Sequence, residues 1–337
     1  MRKKILWIGA IAAIILAVIA FLGYRMFYGS AVERTYSVTL NEGESYAVMM
    51  GKVKEGMDNH WAFDFYADHI DLDDNIRPGH YEIREGMSVM DIARMLKYGG
   101  SSAVRLTINN VRTPEALAAK IAQQINISEE DMLAVLRSPE VWEQMGFNSA
   151  EAMFSIFIPN TYEVRYGIGA REVVERLKRE SDRFWSSDTR QAQLAELKMT
   201  PYEVMTLASI VYEETKVQEE MACIAGVYIN RLRRGMLLQA DPTVKYAVGD
   251  PTLKRILYKH LEVESPYNTY KYKGLPPTPI AMPDMVAIEA VLGYERHDYL
   301  YFCARAELDG RHNFAKTLNE HQCNAAAYHK ALNKAKK

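Results

Sequence analysis

The alternation of apolar and polar positions opens with an uncharged run, Ile5 to Tyr24, preceded by Arg2, Lys3 and Lys4 and closed by Arg25. A helix rises about 1.5 Å per residue, so the run spans about 30 Å, the hydrocarbon thickness of a bilayer. The pattern predicts a transmembrane helix over 5–24. A cleaved signal peptide would begin in the same way, but its apolar core is about 7–15 residues long and ends at an Ala-x-Ala-like site, which is not evident after this run. No cysteine occurs in the first two hundred residues, which excludes lipid attachment at a signal-proximal thiol. The positive-inside rule makes 1–4 a cytoplasmic stub and places everything beyond a linker, 25–34, on the outer face.

From Thr35 to about Gly100 the pattern predicts a small α+β module. TYSVTL alternates as a strand does, IRPGHYEIREGMS gives turn, strand and turn, and Ser88 opens a helix that Gly99 ends. A connecting α/β region, 101–190, follows. AVRLTI alternates, Thr113-Pro114-Glu115 and Ser128 each start a helix, and 154–167 reads as an aromatic strand broken at Pro159-Asn160. That segment is either core or a loop bringing Asn160 and Tyr162 into a cleft. A charged helix covers about 171–185.

The best-specified element of the last region, 191–337, is TPYEVMTLASIVYEET. Thr200 caps, Pro201 suits the first helical position, and Glu203 completes a capping box. Val204, Leu207, Ala208 and Val211 share one face at about 100° per residue. Glu214 then falls on the shoulder of that stripe, while Glu213 points toward solvent. A carboxyl half-withdrawn from water can hold its proton near neutral pH and give it to a leaving group. On this helix alone, a solvated surface glutamate is the commoner outcome. A second helix follows through Leu232, ended by Arg233, Arg234 and Gly235. Glu203, Glu219 and Glu220 are assigned to capping and solvated faces. Periodicity then fades to about Pro283, predicting a long, proline-stiffened loop whose Tyr267, Tyr270 and Tyr272 suit a polar ring-shaped ligand. A helix from Asp284, a strand, a turn at Asp309-Gly310, and a last strand and helix complete the α+β reading.

Composition narrows the function. A net charge of −2 over 337 residues gives no reason to expect nucleic acid. Cys223, Cys303 and Cys323 are too few for a disulfide framework and read as buried thiols. There is no Gly-x-Ser-x-Gly, Ser-x-x-Lys, His-Glu-x-x-His, Cys-x-x-Cys or phosphate-binding glycine loop. His297, His312 and His321 are too loosely spaced for ligands, so neither metal nor cofactor is expected. What remains is an acid on a helix shoulder beside a Tyr/Asn/Gln-rich loop, the furniture of a glycan cleft.

LASIVYEET, VYINRLRRGMLLQADPTVKYAVG, SPYNTY, GLPPTPIAMP and HNFAKTLNEH, in that order, closely resemble the YceG-like (MltG) family of endolytic murein transglycosylases. The resemblance runs from the anchor to the last helix. It implies a LysM-like module at 35–100, a mixed α/β catalytic region with a helix-borne glutamate, and cleavage of the MurNAc-β-1,4-GlcNAc bond with a 1,6-anhydroMurNAc end. The family's catalytic glutamate falls on Glu214, and its motif positions make Asn230, Gln239, Tyr267 and Asn268 substrate-binding candidates. Asp241 is a further one, unless it braces a turn. Two positions depart from the family pattern: Tyr212, where many relatives carry an acid, and Gln322, where many carry Asn. Implied partners are peptidoglycan strands, the inner membrane through one helix, and peptidoglycan synthases or division proteins. A non-catalytic wall-binding scaffold and a lysozyme-type hydrolase using Asp241 are the competing expectations.

Overall fold

The computed structural model describes residues 2–335 except 42, 100–102, 251, 252 and 254. Met1 and the expected module boundary at 100–101 lie outside the described residues. The chain forms two units, one comprising residues up to Arg105 together with Glu163–Ile168, the other Leu106–Tyr162 and Gly169 onward.

The first unit begins with α1 (Arg2–Tyr28), whose segment Ile11–Tyr28 has a mean hydropathy of 2.1 and has no fully buried residue. This is one apolar N-terminal helix of membrane-spanning length. It runs to Tyr28, and Met26 and Phe27 pack on the unit's core. Ser30 then forms an antiparallel bridge with Ser88, and Ala31 and Val32 are buried. The segment 25–34, expected as a linker, is therefore part helix and part docked strand.

Strand β1 (Tyr36–Leu40) pairs antiparallel with β2 (Gly79–Ile83), Tyr36 opposite Ile83 and Leu40 opposite Gly79. Between them lie α2 (Tyr46–Lys54), α3 (His60–His69) and α4 (Leu72–Asn75), and after them α5 (Val89–Tyr98). The alternation read from the sequence is the packing: Val38, Leu40, Tyr81 and Ile83 point inward with Phe63, Leu72, Ile92 and Leu96. Ser88 closes a capping box with Asp91, a device worth about 1 kcal/mol.

The second unit starts in β3 (Ala103–Ile108), which pairs with β4 (Asn160–Arg165). Between them come α6 (Pro114–Ala122), α7 (Glu129–Leu136), α8 (Pro139–Gln144), α9 (Ala150–Met153) and a 3₁₀ turn, Phe154–Ile156. Then follow α10 (Ala170–Trp185), α11 (Asp188–Leu197), α12 (Pro201–Glu214), α13 (Gln218–Arg233), α14 (Asp241–Val248), α15 (Tyr258–Leu261) and α16 (Met285–Leu292). The chain ends with the hairpin β5 (Tyr301–Ala304) and β6 (His312–Ala315) and with α17 (Leu318–Ala335). The architecture is α+β: helices with small two-stranded sheets.

The core of the second unit forms where α12, α13 and α16 meet. Helix α12 starts on the expected capping box, with the Thr200 side chain accepting from the Glu203 amide. It is buried more completely than a one-sided stripe requires, every residue from Val204 to Val211 being inside. The polar member Ser209 is satisfied locally: its hydroxyl donates to the Thr206 carbonyl at 2.7 Å and accepts from the Ile280 amide at 3.0 Å. Thus part of the proline-rich segment is sewn directly onto α12. The stretch from Met236 to Pro283 is not continuous loop, since α14 and α15 lie within it. Both are too short for periodicity to register, and Pro242 marks the first turn of α14.

Gly226 in α13 sits where a segment crosses closely: a Cβ there would lie 2.4 Å from the Glu295 carbonyl oxygen and 2.6 Å from His297 Nε2. Gly226→Ala should therefore lower stability by about 1–3 kcal/mol despite alanine's better helix propensity, read as a reduced urea midpoint.

Candidate active site

Glu214 occupies the last turn of α12, and Thr215 leaves the helix in extended conformation. Its carboxyl faces a cleft of about 470 Å³ lined by residues of α12, α13, the 238–241 segment, Tyr270, the β5–β6 hairpin and α17. Tyr228 is buried on α13, and its hydroxyl donates to Glu214 Oε1 at 2.6 Å. Loss of hydration pushes the Glu214 pKa up to about 7. The Tyr228 hydrogen bond works against that rise, the charge of Asp241 adds to it, and the Arg231 guanidinium opposes it. Burial dominates. Near neutral pH this carboxyl can both hold and release a proton.

Arg231 is the structural hub of the cleft. It is 7% exposed, and its Nε donates to the Leu300 carbonyl at 2.6 Å while its Nη1 donates to the Leu238 carbonyl at 2.7 Å. These bonds tie α13 to the strand-bearing segment on one side and to the 238–241 segment on the other. Gln239, whose Oε1 lies 3.4 Å from Arg231 Nη1, holds a left-handed backbone with φ +51. A non-glycine residue in that region stores strain and is commonest where a site requires it. Asp241 accepts from the Tyr270 hydroxyl at 2.6 Å. That contact, along with desolvation, carries the Tyr270 pKa above the usual phenol range. Asp241 sits at the start of α14, beside the acid, instead of bracing an isolated turn.

Of the residues singled out in the sequence, the structure brings Glu214, Gln239, Asp241 and Tyr270 together along the cleft. The others lie apart from its lining. Asn230 turns its amide to the carbonyls of His297, at 2.7 Å, and Tyr299, at 3.0 Å, which fastens α13 to the 297–299 segment. Asn268 is fully buried and donates to the Leu261 and Val263 carbonyls, so it folds its own loop. The Tyr267 hydroxyl bonds Thr278 at 2.7 Å, and its ring packs on Tyr246. Tyr162 is buried with its hydroxyl on the Ile158 carbonyl at 2.5 Å. Asn160 is exposed at the start of β4, its side chain accepting from the Thr161 amide. In each case a backbone group claims the polar atom, or a neighbouring hydroxyl does.

Sequence reading missed Tyr228, Arg231, His312 and His321. Tyr228 falls on the apolar face of the second helix, where a buried tyrosine hydroxyl needs a partner. Glu220 is not on a solvated face: it is 9% exposed and accepts from the His312 amide at 3.0 Å, with His312 Nδ1 at 2.9 Å from the same carboxylate. His321 stacks on Tyr301 with centroids 5.4 Å apart, and its buried Nδ1 has no hydrogen-bond partner among the described residues. Burial lowers its pKa, and the charge of Arg231 adds to that. Glu213 pairs with Arg112 at 2.7 Å instead of standing free in solvent. Of the thiols, only Cys223 is buried; Cys303 is partly exposed and Cys323 exposed.

Comparison with known proteins places this arrangement. Residues 38–327 match the model of the YceG-like family. The endolytic murein transglycosylase of Bacillus subtilis (strain 168) is 29% identical over 325 residues, covering 89% of each chain. That of Streptococcus pneumoniae (strain D39) is 26% identical over 311 residues, covering 82% of this chain and 54% of its own, so this chain spans about half the length of the pneumococcal relative. The crystal structure of a YceG-like protein from Listeria monocytogenes aligns with a TM-score of 0.55 at 28% identity, over 86% of this chain and 98% of that one.

Proposed function

We propose, from the premise that this chain belongs to the YceG-like family, that it is an endolytic murein transglycosylase, cutting the MurNAc-β-1,4-GlcNAc bond within peptidoglycan strands and leaving a 1,6-anhydroMurNAc end. The observation that carries the reading is Glu214: a desolvated carboxyl poised near pH 7, gripped by Tyr228 at the wall of a cleft. Most glycosidases use two carboxylates. Here the 6-hydroxyl of the muramyl ring serves as the attacking group, so one acid suffices.

Glu214 gives its proton to the bridging oxygen as the glycosidic bond breaks, and the N-acetylglucosamine leaves as an alcohol. The resulting carboxylate then takes the proton of the 6-hydroxyl while O6 bonds to the anomeric carbon. One proton enters, one returns, and no water is consumed. Tyr228 fixes Oε1 and leaves the other carboxylate oxygen for the sugar. Gln239, Asp241 and Tyr270 supply fixed polar contacts to the sugar hydroxyls and N-acetyl groups. Asn230, Tyr267 and Asn268 act one step back, holding the segments that carry those contacts. Asn160 and Tyr162 serve β4 and the core.

Residues 35–100 serve as a LysM-like module, a reading supported by helices enclosed between the paired strands β1 and β2. Helix α1 anchors the chain in the cytoplasmic membrane with 1–4 inside and the catalytic part, 191–337, outside, joined to the module through 101–190.

The deciding experiment is digestion of purified glycan strands followed by mass measurement. Anhydro-ended fragments are expected. Fragments heavier by one water would identify a hydrolase using Asp241, and undigested strands a scaffold.

A further inference from the structure

The first unit carries a cluster of exposed rings that its own core does not use. Trp61 and Phe65, one turn apart on α3, are 63% and 55% exposed and stack on each other with centroids 5.6 Å apart. Rings of this size exposed together mark a contact surface. The cluster continues into α1: Phe27 lies 5.8 Å from Phe65 and 6.4 Å from Tyr66, and Tyr24 stacks on Tyr28 at 5.1 Å. Tyr98, at the end of α5, is 64% exposed.

The length of α1 fixes the depth of these rings. Its 27 residues span about 40 Å, roughly 10 Å more than the hydrocarbon layer. The uncharged run ends at Tyr24, so Arg25 to Tyr28 fall in the headgroup zone, where tyrosine and tryptophan partition preferentially. Because Met26 and Phe27 are packed on the unit's core and Ser30 bridges Ser88, no free linker separates this turn from α3. Trp61 and Phe65 are thus held at the level of Phe27. Asp68, exposed a turn further along α3, bounds the patch with a group that stays in water.

We infer that the face of α3 bearing Trp61 and Phe65 is a membrane-seating surface: these side chains enter the headgroup zone of the bilayer that α1 crosses, and the first unit rests on the lipid instead of hanging from it. This rests on the anchor reading of α1. A stacked ring pair could also receive a sugar, but its continuity with Phe27 of the anchor favours lipid.

The full chain, reconstituted in vesicles of phosphatidylethanolamine and phosphatidylglycerol with bromines near the headgroup end of the acyl chains, provides the test through tryptophan fluorescence. In Trp7→Phe, bromolipid should still quench emission, and the double variant Trp7→Phe/Trp61→Phe should lose that quenching completely. Unquenched Trp7→Phe beside quenched Trp61→Phe would overturn the seat while leaving the anchor standing. Quenching absent from both would remove the anchor and the seat together. A Trp61 signal that ignores bromolipid but shifts with N-acetylglucosamine oligomers would assign the patch to glycan and overturn the proposal.

Discussion

Glu214→Gln should reduce strand cleavage by about 10³-fold or more, since in the proposed reaction one side chain performs both proton transfers and each such transfer contributes about 10²–10⁴-fold. Glutamine keeps the size of the side chain and can still accept from Tyr228, so the fold should survive. The pH dependence gives an independent check. The reaction begins with Glu214 protonated, so kcat/KM should fall as pH rises through about 7, the value to which burial lifts this group. Stability should follow the same group with a definite sign. Between the ordinary carboxylate value of 4.5 and about 7 the unfolded chain releases the proton while the folded chain keeps it, so the native state weakens as pH rises. Above pH 7 the folded chain carries a penalty of about 3 kcal/mol, at 1.36 kcal/mol per pH unit. Glutamine carries none. The variant should match the parent near pH 4 and exceed it in urea midpoint at pH 8. Retained cleavage, or a variant that does not exceed the parent in urea midpoint at pH 8, would remove Glu214 from the centre of the mechanism.

The second large effect is structural. Arg231→Met should cost about 3–5 kcal/mol, because the Leu300 and Leu238 carbonyls lose charged donors and Leu238 and Leu300 are buried. Methionine replaces the packing volume but offers no hydrogen. Cleavage should fall as well, since the segments bearing Gln239 and the β5–β6 hairpin are no longer fixed to α13. Chemical denaturation measures the first effect, and glycan digestion at a temperature where the variant remains folded measures the second. A loss below about 1 kcal/mol, the worth of one ordinary hydrogen bond, would show that the carbonyls find other partners.

The candidate site was legible in the sequence where local rules decide, and obscure where a distant segment does. The start of α12 follows from Thr200, Pro201 and Glu203 alone, and helical angles put Glu214 at the edge of the apolar face. The two strands of the first unit and the helix that Ser88 opens and Gly99 ends were equally plain. Tyr228 and Arg231 were hidden because their meaning depends on groups they meet across space: a carboxylate on another helix in one case, carbonyls 69 and 7 residues away in the other. Asn230, Tyr267 and Asn268 misled for the converse reason. A polar side chain in a motif suits a ligand and a backbone carbonyl equally well, and only folding reveals which one it meets. Glu220 looked solvated for want of His312, which lies 92 residues on.

The walls around Glu214 come from stretches as far along the chain as His321. Until the β5–β6 hairpin and α17 have docked, the side of the cleft that they form stays open to water, and Glu214 keeps only the cover of α13, the 238–241 segment and Tyr270. A partly made chain therefore holds this carboxyl in a wetter setting, where it gives up its proton at a lower pH. The raised pKa of Glu214 is thus a property of the assembled unit, completed by segments far along the chain from the acid itself.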